Sequence, residues 1–389
     1  MGALDGLTVV DAGLAVQGPQ AAGLLRDWGA DVVKVELPGI GDHSRSLPAA
    51  PDEPRSGYFA ACNRGKRSMT LDLRVPAGRE VFLRLTDQAD VVISNFTPGT
   101  MESWGLGYDD VSARNPRIVY GVGSMYGPLG PDARQSGADL SGQAAGGLVS
   151  ATGADGTEPT PVGALIADSI AAQTLASAVL AALVARGRTG RGQRVETSLL
   201  GSQIWAQAGE YASYLISGRV PGRANRGAPL VGGIYSLFPT ADGWLAVAGV
   251  RGSDRPAFYA LVGRPDLAAR FPQQQYGPDV RAVLYEELAP VFRARPTAEW
   301  CALLRAAGVR HAPVRDHAEV AADPGVWANG YLARTADGEA VVGTPVQFSD
   351  TPADPAAAAP ELGQHTEEVL LELGYSWADI TRLADERTI

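Results

Sequence analysis

Between Leu7 and Gly121 the apolar residues fall into short runs, separated by segments with helical spacing. LTVVD (7–11), DVVKVE (31–36), DVVIS (90–94) and RIVYG (117–121) are predicted strands, since each is a short apolar run bounded by turn residues, as in a buried parallel sheet. AAGLLRDW (21–28) predicts a helix stopped by Gly29, and a second helix opens at Pro76 with Val81, Phe82, Leu85 and Ala89 on one face. Strand, helix and strand repeated in this way predict an α/β fold with an open parallel sheet covered by helices.

Farther along, an alanine-rich helix over 164–186 leads through the turn GRTGRGQ (187–193) to a strand at Arg194–Thr197 and a helix from Leu199 to Ile216. The Gly-, Pro- and Arg-rich stretch 217–229 reads as a linker. Beyond it, Ile234–Phe238 and Trp244–Val250 flank the turn TADG and predict a hairpin, followed by helices over 255–262, 278–292 and 297–307. This change of texture predicts a smaller α+β domain. A second linker, 350–363, precedes a helix pair in which Val369, Leu370 and Leu373 face inward and Ser376 with Asp379 forms a capping box. The boundaries so read are a large domain at 1–216, a linker at 217–229, a small domain at 230–325 and a C-terminal portion at 326–389.

Composition narrows the classes. With 389 residues the chain exceeds one typical core, and 45% hydrophobic with 20% charged residues is ordinary for a globular protein. The net charge of −10 argues against nucleic acid or an anionic membrane as partner, because both require a basic face. Polar Asp168, Ser169, Gln173, Thr174 and Ser177 interrupt the apolar run at 164–185, which therefore reads as a core helix, not a membrane span. The two cysteines form no CxxC pair and the four histidines no HxxxH or HxH pair, so no metal is expected and a reducing, cytoplasmic location fits.

Four segments carry candidate chemistry. The turn from Gly13 to Pro19 imitates a dinucleotide-binding layout but is not GxGxxG, and Pro19 removes an amide donor. The basic turn Asn63–Ser68 holds one of only two lysines in the chain, Lys34 and Lys66; it reads either as a solvated loop or as a phosphate-binding edge. Asp139, between glycines in SGADLSGQ (136–143), reads locally as a helix N-cap, or as a carboxylate nucleophile if water is excluded. Asp168 reads as an acidic residue complementing a helix dipole.

Nine blocks in order resemble the class III CoA-transferase family, which includes formyl-CoA transferase, carnitine CoA-transferases and α-methylacyl-CoA racemase. They are VVDAGLAVQGPQAAGLLRDWGADVVKVELPGIGD (9–42), NRGKRSMTLDL (63–73), NFTPGTMESWGLGYDD (95–110), RIVYGVGSMYGPLGP (117–131), GADLSGQAAGGLVSATG (137–153), PVGALIADSIAAQTLASAVLAALVARGRTGRGQRVETSLL (161–200), FPTADGWLAVAG (238–249), RAAGVRHAPVRDHAEVAADP (305–324) and LGQHTEEVLLELGYS (362–376). The resemblance implies a Rossmann-like large domain to which the C-terminal portion returns, a small inserted domain and an interlocked homodimer. It implies CoA and acyl-CoA as substrates, a carboxylic acid as acceptor and no tightly bound cofactor.

Residue by residue, the resemblance makes Asp139 the carrier of acyl-aspartyl anhydride and aspartyl-CoA thioester intermediates, with Gln17 lining the same site. It places Asn63, Arg64, Lys66 and Arg67, with Asn95 and Phe96, in CoA-binding segments. It implies backbone amides of glycines beside Asp139 as oxyanion donors. Arg45, Arg134, Arg223 and Arg226 are possible partners of the acceptor carboxylate. This chain departs from the family at Ala138, where transferases usually carry Tyr and the racemase branch a basic His, and at Leu37, Thr97 and Ala228. The alternatives on the same scaffold are a 2-methylacyl-CoA racemase or epimerase and a catalytically silent CoA-binding homologue.

Overall fold

The computed structural model describes residues 1–272 and 278–389. Six strands form one parallel sheet: β1 (Thr8–Asp11), β2 (Asp31–Glu36), β3 (Arg67–Thr70), β4 (Val91–Ser94), β5 (Val119–Ser124) and β6 (Arg194–Ser198). Their order is β3-β2-β1-β4-β5-β6, the doubly wound arrangement in which the chain reverses direction between β1 and β4. Ligands of such sheets sit at the carboxyl ends of the strands flanking that switch point.

The alternation of side chains explains both faces. Val10, Val33 and Val92 point into a core with Val81, Phe82 and Leu85 of the helix Pro76–Gln88, closed by Val369 and Leu370 of Thr366–Glu372 and by Ile380 and Leu383 of Trp377–Asp385. Their neighbours Val9, Val32 and Val91 point the other way, onto Leu25 of the helix Gln17–Asp27 and Leu175 and Val179 of Ile166–Thr189. Burying each of these Val, Leu or Phe side chains contributes ~1.5–3 kcal/mol. The helix Ile166–Thr189 is long and apolar enough to cross a membrane by length and composition, yet Ala171, Ala172, Leu175, Ala176, Val179 and Ala182 are buried inside the protein. Small residues permit that close approach to the sheet.

Two compact units divide the chain. The first comprises Met1–Gly146, Val162–Ala206 and Asp323–Ile389, and the second Gly147–Pro161 and Gln207–Ala322. The second has its own core, built on the antiparallel strands β7 (Ile234–Pro239), β8 (Trp244–Val250) and β9 (His311–Pro313). Phe238, Leu245, Tyr259, Leu288, Phe292 and Trp300 fill it.

Two local expectations shift. The strand read at Arg117–Gly121 lies at Val119–Ser124, because Gly121 and Gly123 continue the ladder to β4 and β6. The single helix read from Leu199 to Ile216 is two, Leu199–Ala206 and Ala208–Ser217, separated at Gln207, whose φ of −108° and ψ of 30° leave the helical region. The break falls where the chain passes from the first unit to the second.

Candidate active site

The loop after β1 is held from below by buried charge. Asp11, Lys34, Asp42 and Lys66 have fully buried side chains, so both lysines of the chain lie in the interior. Lys66 Nζ donates to Asp11 Oδ2 at 2.6 Å, to the Pro19 carbonyl at 2.7 Å and to Asn63 Oδ1 at 2.9 Å. Lys34 Nζ donates to the Gly13 carbonyl at 2.9 Å and pairs with Asp42 at 3.0 Å. Burial opposes the Lys34 charge, but Asp11, Asp42 and Glu36 outweigh it and raise its pKa above the ordinary value. For Lys66, burial together with the Lys34 ammonium prevails over Asp11 and lowers the pKa.

From this base the loop Gly13–Gln17 is fixed atom by atom. Asp42 accepts the Ala15 N–H at 3.1 Å on both oxygens, which holds Ala15 at a positive φ of 60°. Asn95, just beyond β4, accepts the Leu14 N–H at 2.7 Å and donates to the Leu14 carbonyl at 2.9 Å. Both ends of the Asn95 amide are therefore used in clamping the loop across the switch point. Gln17 follows at the start of the helix Gln17–Asp27, 4% exposed, with Nε2 donating to the Ser124 carbonyl at 3.4 Å. A Cβ at Gly123 would lie 2.5 Å from Gln17 Oε1, so only glycine leaves room for it.

Asp139 opens the short helix Asp139–Ala145, but it does not cap it; Ala138 holds the cap position. Its carboxylate instead meets the start of another helix. Oδ1 accepts the N–H groups of Ala167 at 2.7 Å and Asp168 at 3.1 Å, at the N-terminus of Ile166–Thr189. Oδ2 accepts Gln143 Nε2 at 2.6 Å, one helical turn on. Gln143 is itself anchored, receiving the Val162 N–H at 2.9 Å and donating to the Ala164 carbonyl at 3.2 Å. The amides at the carboxylate thus belong to Ala167 and Asp168, not to the glycines beside Asp139. Gly142 has a packing role: a Cβ there would sit 2.9 Å from Cβ of both Ala167 and Leu199.

Asp168 lies beside this carboxylate. Burial first, and the Asp139 charge second, push its carboxyl up to about 7. Near neutral pH it is divided between protonated and ionised forms, which is unusual for an aspartate and typical of groups in reactive sites.

A cavity of about 260 Å³ opens at the carboxyl ends of the strands, lined by Leu14–Gln17, Asn95–Pro98, Ser124, Met125, Gln135–Ala138 and Asp168. Asp139, 4% exposed, lies out of this lining, while Ala138 before it and Asp168 beside it form the wall. A second cavity of about 220 Å³, with Leu37, Gly41, Leu71–Arg74 and Trp104 in its walls, shares Leu14, His43 and Phe96 with the first. Phe96 and Trp104 meet edge to face, ring centroids 5.4 Å apart.

The basic turn is placed differently. Asn63 is fully buried, donating to the Phe59 carbonyl at 3.1 Å, and Arg64 pairs with Asp27. Arg67 spans Asp31 at 2.5 Å, Glu372 at 2.8 Å and Glu368 at 3.2 Å. With Lys66 on Asp11, all four side chains are engaged within the protein, and none lines either cavity. Gln17, Asn95 and Phe96 do line the cavity that Asp168 and Ala138 wall. Gln143, Asp42, His43, Arg74 and Trp104 were not singled out from the sequence; the spacing of Gln143, four residues after Asp139, is a signal that places both on one helix face.

Comparison with known proteins identifies the family of the chain. Residues 4–366 match CoA-transferase family III. The chain is 36% identical to the succinyl-CoA:mesaconate CoA-transferase of Haloarcula marismortui, covering 96% of this chain and 97% of the relative. It is 34% identical to the succinate–glutarate CoA-transferase of Agrobacterium fabrum, over 95% of each. A crystal structure of a CAIB/BAIF family protein from Brucella suis superposes with a TM-score of 0.85 at 33% identity, covering 96% of this chain and 99% of that one. A switch-point cavity walled by Ala138 and Asp168, with a buried carboxylate held at a helix N-terminus beside it, occurs here in a chain that belongs to CoA-transferase family III.

Proposed function

We propose that the enzyme moves CoA from the thioester of a small dicarboxylic acid to a second carboxylic acid, through covalent intermediates on Asp139. The observation that carries this reading is the carboxylate of Asp139, buried and held on one oxygen by two backbone N–H groups. The substrate class rests on the relatives named for succinyl-CoA with mesaconate, glutarate or citramalate.

Lone pairs assign the two oxygens. Oδ1 has both directed at Ala167 and Asp168, whereas Oδ2 has one committed to Gln143. Release from Gln143 frees Oδ2 to turn toward the cavity and attack the thioester carbonyl carbon. The C–S bond breaks, CoA leaves as thiolate, and a mixed anhydride forms. The thiolate then attacks Cγ of Asp139, the Cγ–O bond breaks, and the donor acid departs as carboxylate. An acceptor carboxylate repeats the first exchange in reverse: it attacks Cγ, expels thiolate and forms a new anhydride. Thiolate attack on the acceptor's acyl carbon returns Asp139 and gives the new thioester. No proton is gained or lost in the cycle.

The steps at Cγ place negative charge on Oδ1, where the Ala167 and Asp168 N–H groups already point. A fixed pair of donors at the positive end of a helix stabilises such an oxyanion without reorganisation; removing one donor of this kind costs ~10²–10³ in rate. Burial of Asp139 shields the anhydride from water. Ala138 offers no base, which favours nucleophilic exchange over proton abstraction at the α-carbon.

CoA lies along the two joined cavities, with its thiol end toward Ala138 and Asp168 and the remainder past Phe96 toward Trp104 and Arg74. The buried basic turn acts from within, fixing the loop that carries Gln17. The assembly is an interlocked homodimer; Leu215, Ile216 and Val220 of the second unit are largely exposed, which fits surface covered by a partner. Incubating the protein with succinyl-CoA and a panel of carboxylic acids, read by mass spectrometry of the CoA products, tests the assignment. Formation of new thioesters from dicarboxylic acceptors is expected; hydrolysis alone across the panel would refute it.

A further inference from the structure

The second unit contains a cavity of about 250 Å³ whose lining includes Arg223, Arg226 and Arg281. The three guanidiniums differ in what they touch. Arg223 donates to the carbonyls of Thr152 at 3.0 Å, Thr157 at 2.6 Å and Glu158 at 3.0 Å. Arg281 donates to those of Ala228 at 3.1 Å, Val231 at 3.0 Å and Pro229 at 3.0 Å. Arg226 makes no such bond among the described residues: its guanidinium lies 4.1 Å over the Tyr285 ring. Among the described residues no carboxylate lies within ion-pair distance of any of the three. Asp155, the one acid among the described lining residues, is bonded to Asn225 at 2.6 Å. The described residues of the wall thus carry three positive charges against one negative.

Arg226 is held in place by stacking and by its backbone. Tyr285 stacks on Phe238 (5.4 Å, 14°) and Phe238 on Phe292 (4.6 Å, 19°), so the guanidinium ends a column of rings rooted in the core. Stacking occupies one face of the guanidinium and leaves its N–H edge available, the arrangement that binds a carboxylate through two parallel hydrogen bonds. The backbone is committed as well: Asn225 and Arg226 adopt positive φ of 45° and 71°, and Leu237 N–H donates to the Arg226 carbonyl at 2.9 Å. Two consecutive non-glycine residues in this region cost free energy and persist only where the surroundings impose them. The lining also has an apolar part, with Ile234, Phe238, Leu284 and Leu288 buried. That combination suits an anionic group attached to a short carbon chain better than a free, fully hydrated phosphate.

We propose that this cavity is a binding site for a small carboxylic acid, with Arg226 receiving the carboxylate and the Ile234–Leu288 wall its carbon chain. Only the choice of succinate as probe rests on the function proposed above. Titration calorimetry of the whole protein with succinate and, separately, with inorganic phosphate tests it. Arg226→Asn is the informative variant, because asparagine tolerates the left-handed backbone and any loss then reports the guanidinium. Its succinate affinity should fall at least ~10-fold, the scale of a charge-assisted pair, with an unchanged unfolding midpoint. Arg226→Lys, which keeps the charge without the fork, should retain part of the affinity; it also serves if the asparagine variant fails to fold. Asp139→Asn should bind succinate as wild type does while losing CoA transfer, so the two readings fail separately. Equal affinity in wild type and Arg226→Asn, loss of binding in Asp139→Asn alone, absence of saturable succinate binding to wild type, or phosphate binding tighter than succinate would each overturn the proposal.

Discussion

Replacing Asp168 by Asn should change how stability depends on pH. In the folded protein the Asp168 carboxyl is pushed up to about 7, by burial and then by Asp139, from an ordinary value of 3.8. The native state therefore binds this proton more tightly than the unfolded chain. Below the ordinary value both states are protonated and there is no penalty. As pH rises from about 4 to about 7 the unfolded chain gives up its proton while the native state retains it, and stability falls. Above about 7 both are ionised and the penalty is complete. The gap is worth ~4 kcal/mol at full strength, and partial solvent access to this half-buried carboxyl reduces it to ~2 kcal/mol. Asp168→Asn removes the titration, so its stability relative to wild type should rise by ~2 kcal/mol between pH 4 and pH 8. Urea unfolding of both proteins across that range measures the difference, and the slope matters more than the level because a constant cost of the amide cancels. A difference that stays flat with pH, or that moves in favour of wild type, would refute the reasoning.

Three further outcomes follow from other contacts. Lys66→Met leaves the buried Asp11 carboxylate with the Gly13 N–H at 2.8 Å and, as its remaining cation among the described residues, Lys34 at 3.8 Å; it should destabilise the protein by ~3–5 kcal/mol in urea unfolding. Asn95→Ala leaves the Leu14 N–H and carbonyl without their partners; a loss of ~1–3 kcal/mol is expected, together with a lower kcat and little change in KM for acyl-CoA, as befits a residue that positions the Gln17 loop. Trp104→Ala removes the ring against Phe96 and should do the opposite, raising KM for acyl-CoA several-fold with kcat largely kept.

The strands of the sheet were legible because parallel strands are apolar on both faces: Val9 with Val10, Val32 with Val33 and Val91 with Val92 each serve two cores at once. Helix interruption at Gln207 was not, since nothing in the spacing from Leu199 to Ile216 marks it. Charge was the least legible feature. In a sequence, Asn63–Arg67 looks like a surface turn or a phosphate edge, and only the fold reveals that Lys66 reaches Asp11, 55 positions earlier. Asp139 shows the same limit. Its local sequence predicts a cap, whereas its partners Ala167 and Asp168 lie 28 and 29 residues on, so the nucleophile reading came from the family resemblance and the contacts of the carboxylate only from the fold. Gln143 was within reach of sequence reasoning through its helical spacing. Ala167 and Asp168 as amide donors were not, because backbone groups leave no trace in residue type.

Asp139 as covalent carrier is tested most directly by mass spectrometry of the peptide that contains it, after brief incubation with succinyl-CoA and rapid acid quench. The account predicts CoA in thioester linkage to Asp139, discharged by added acceptor acid and absent from Asp139→Ala, which also loses CoA exchange. Full exchange activity in Asp139→Ala, or an adduct that maps to another residue, would contradict it.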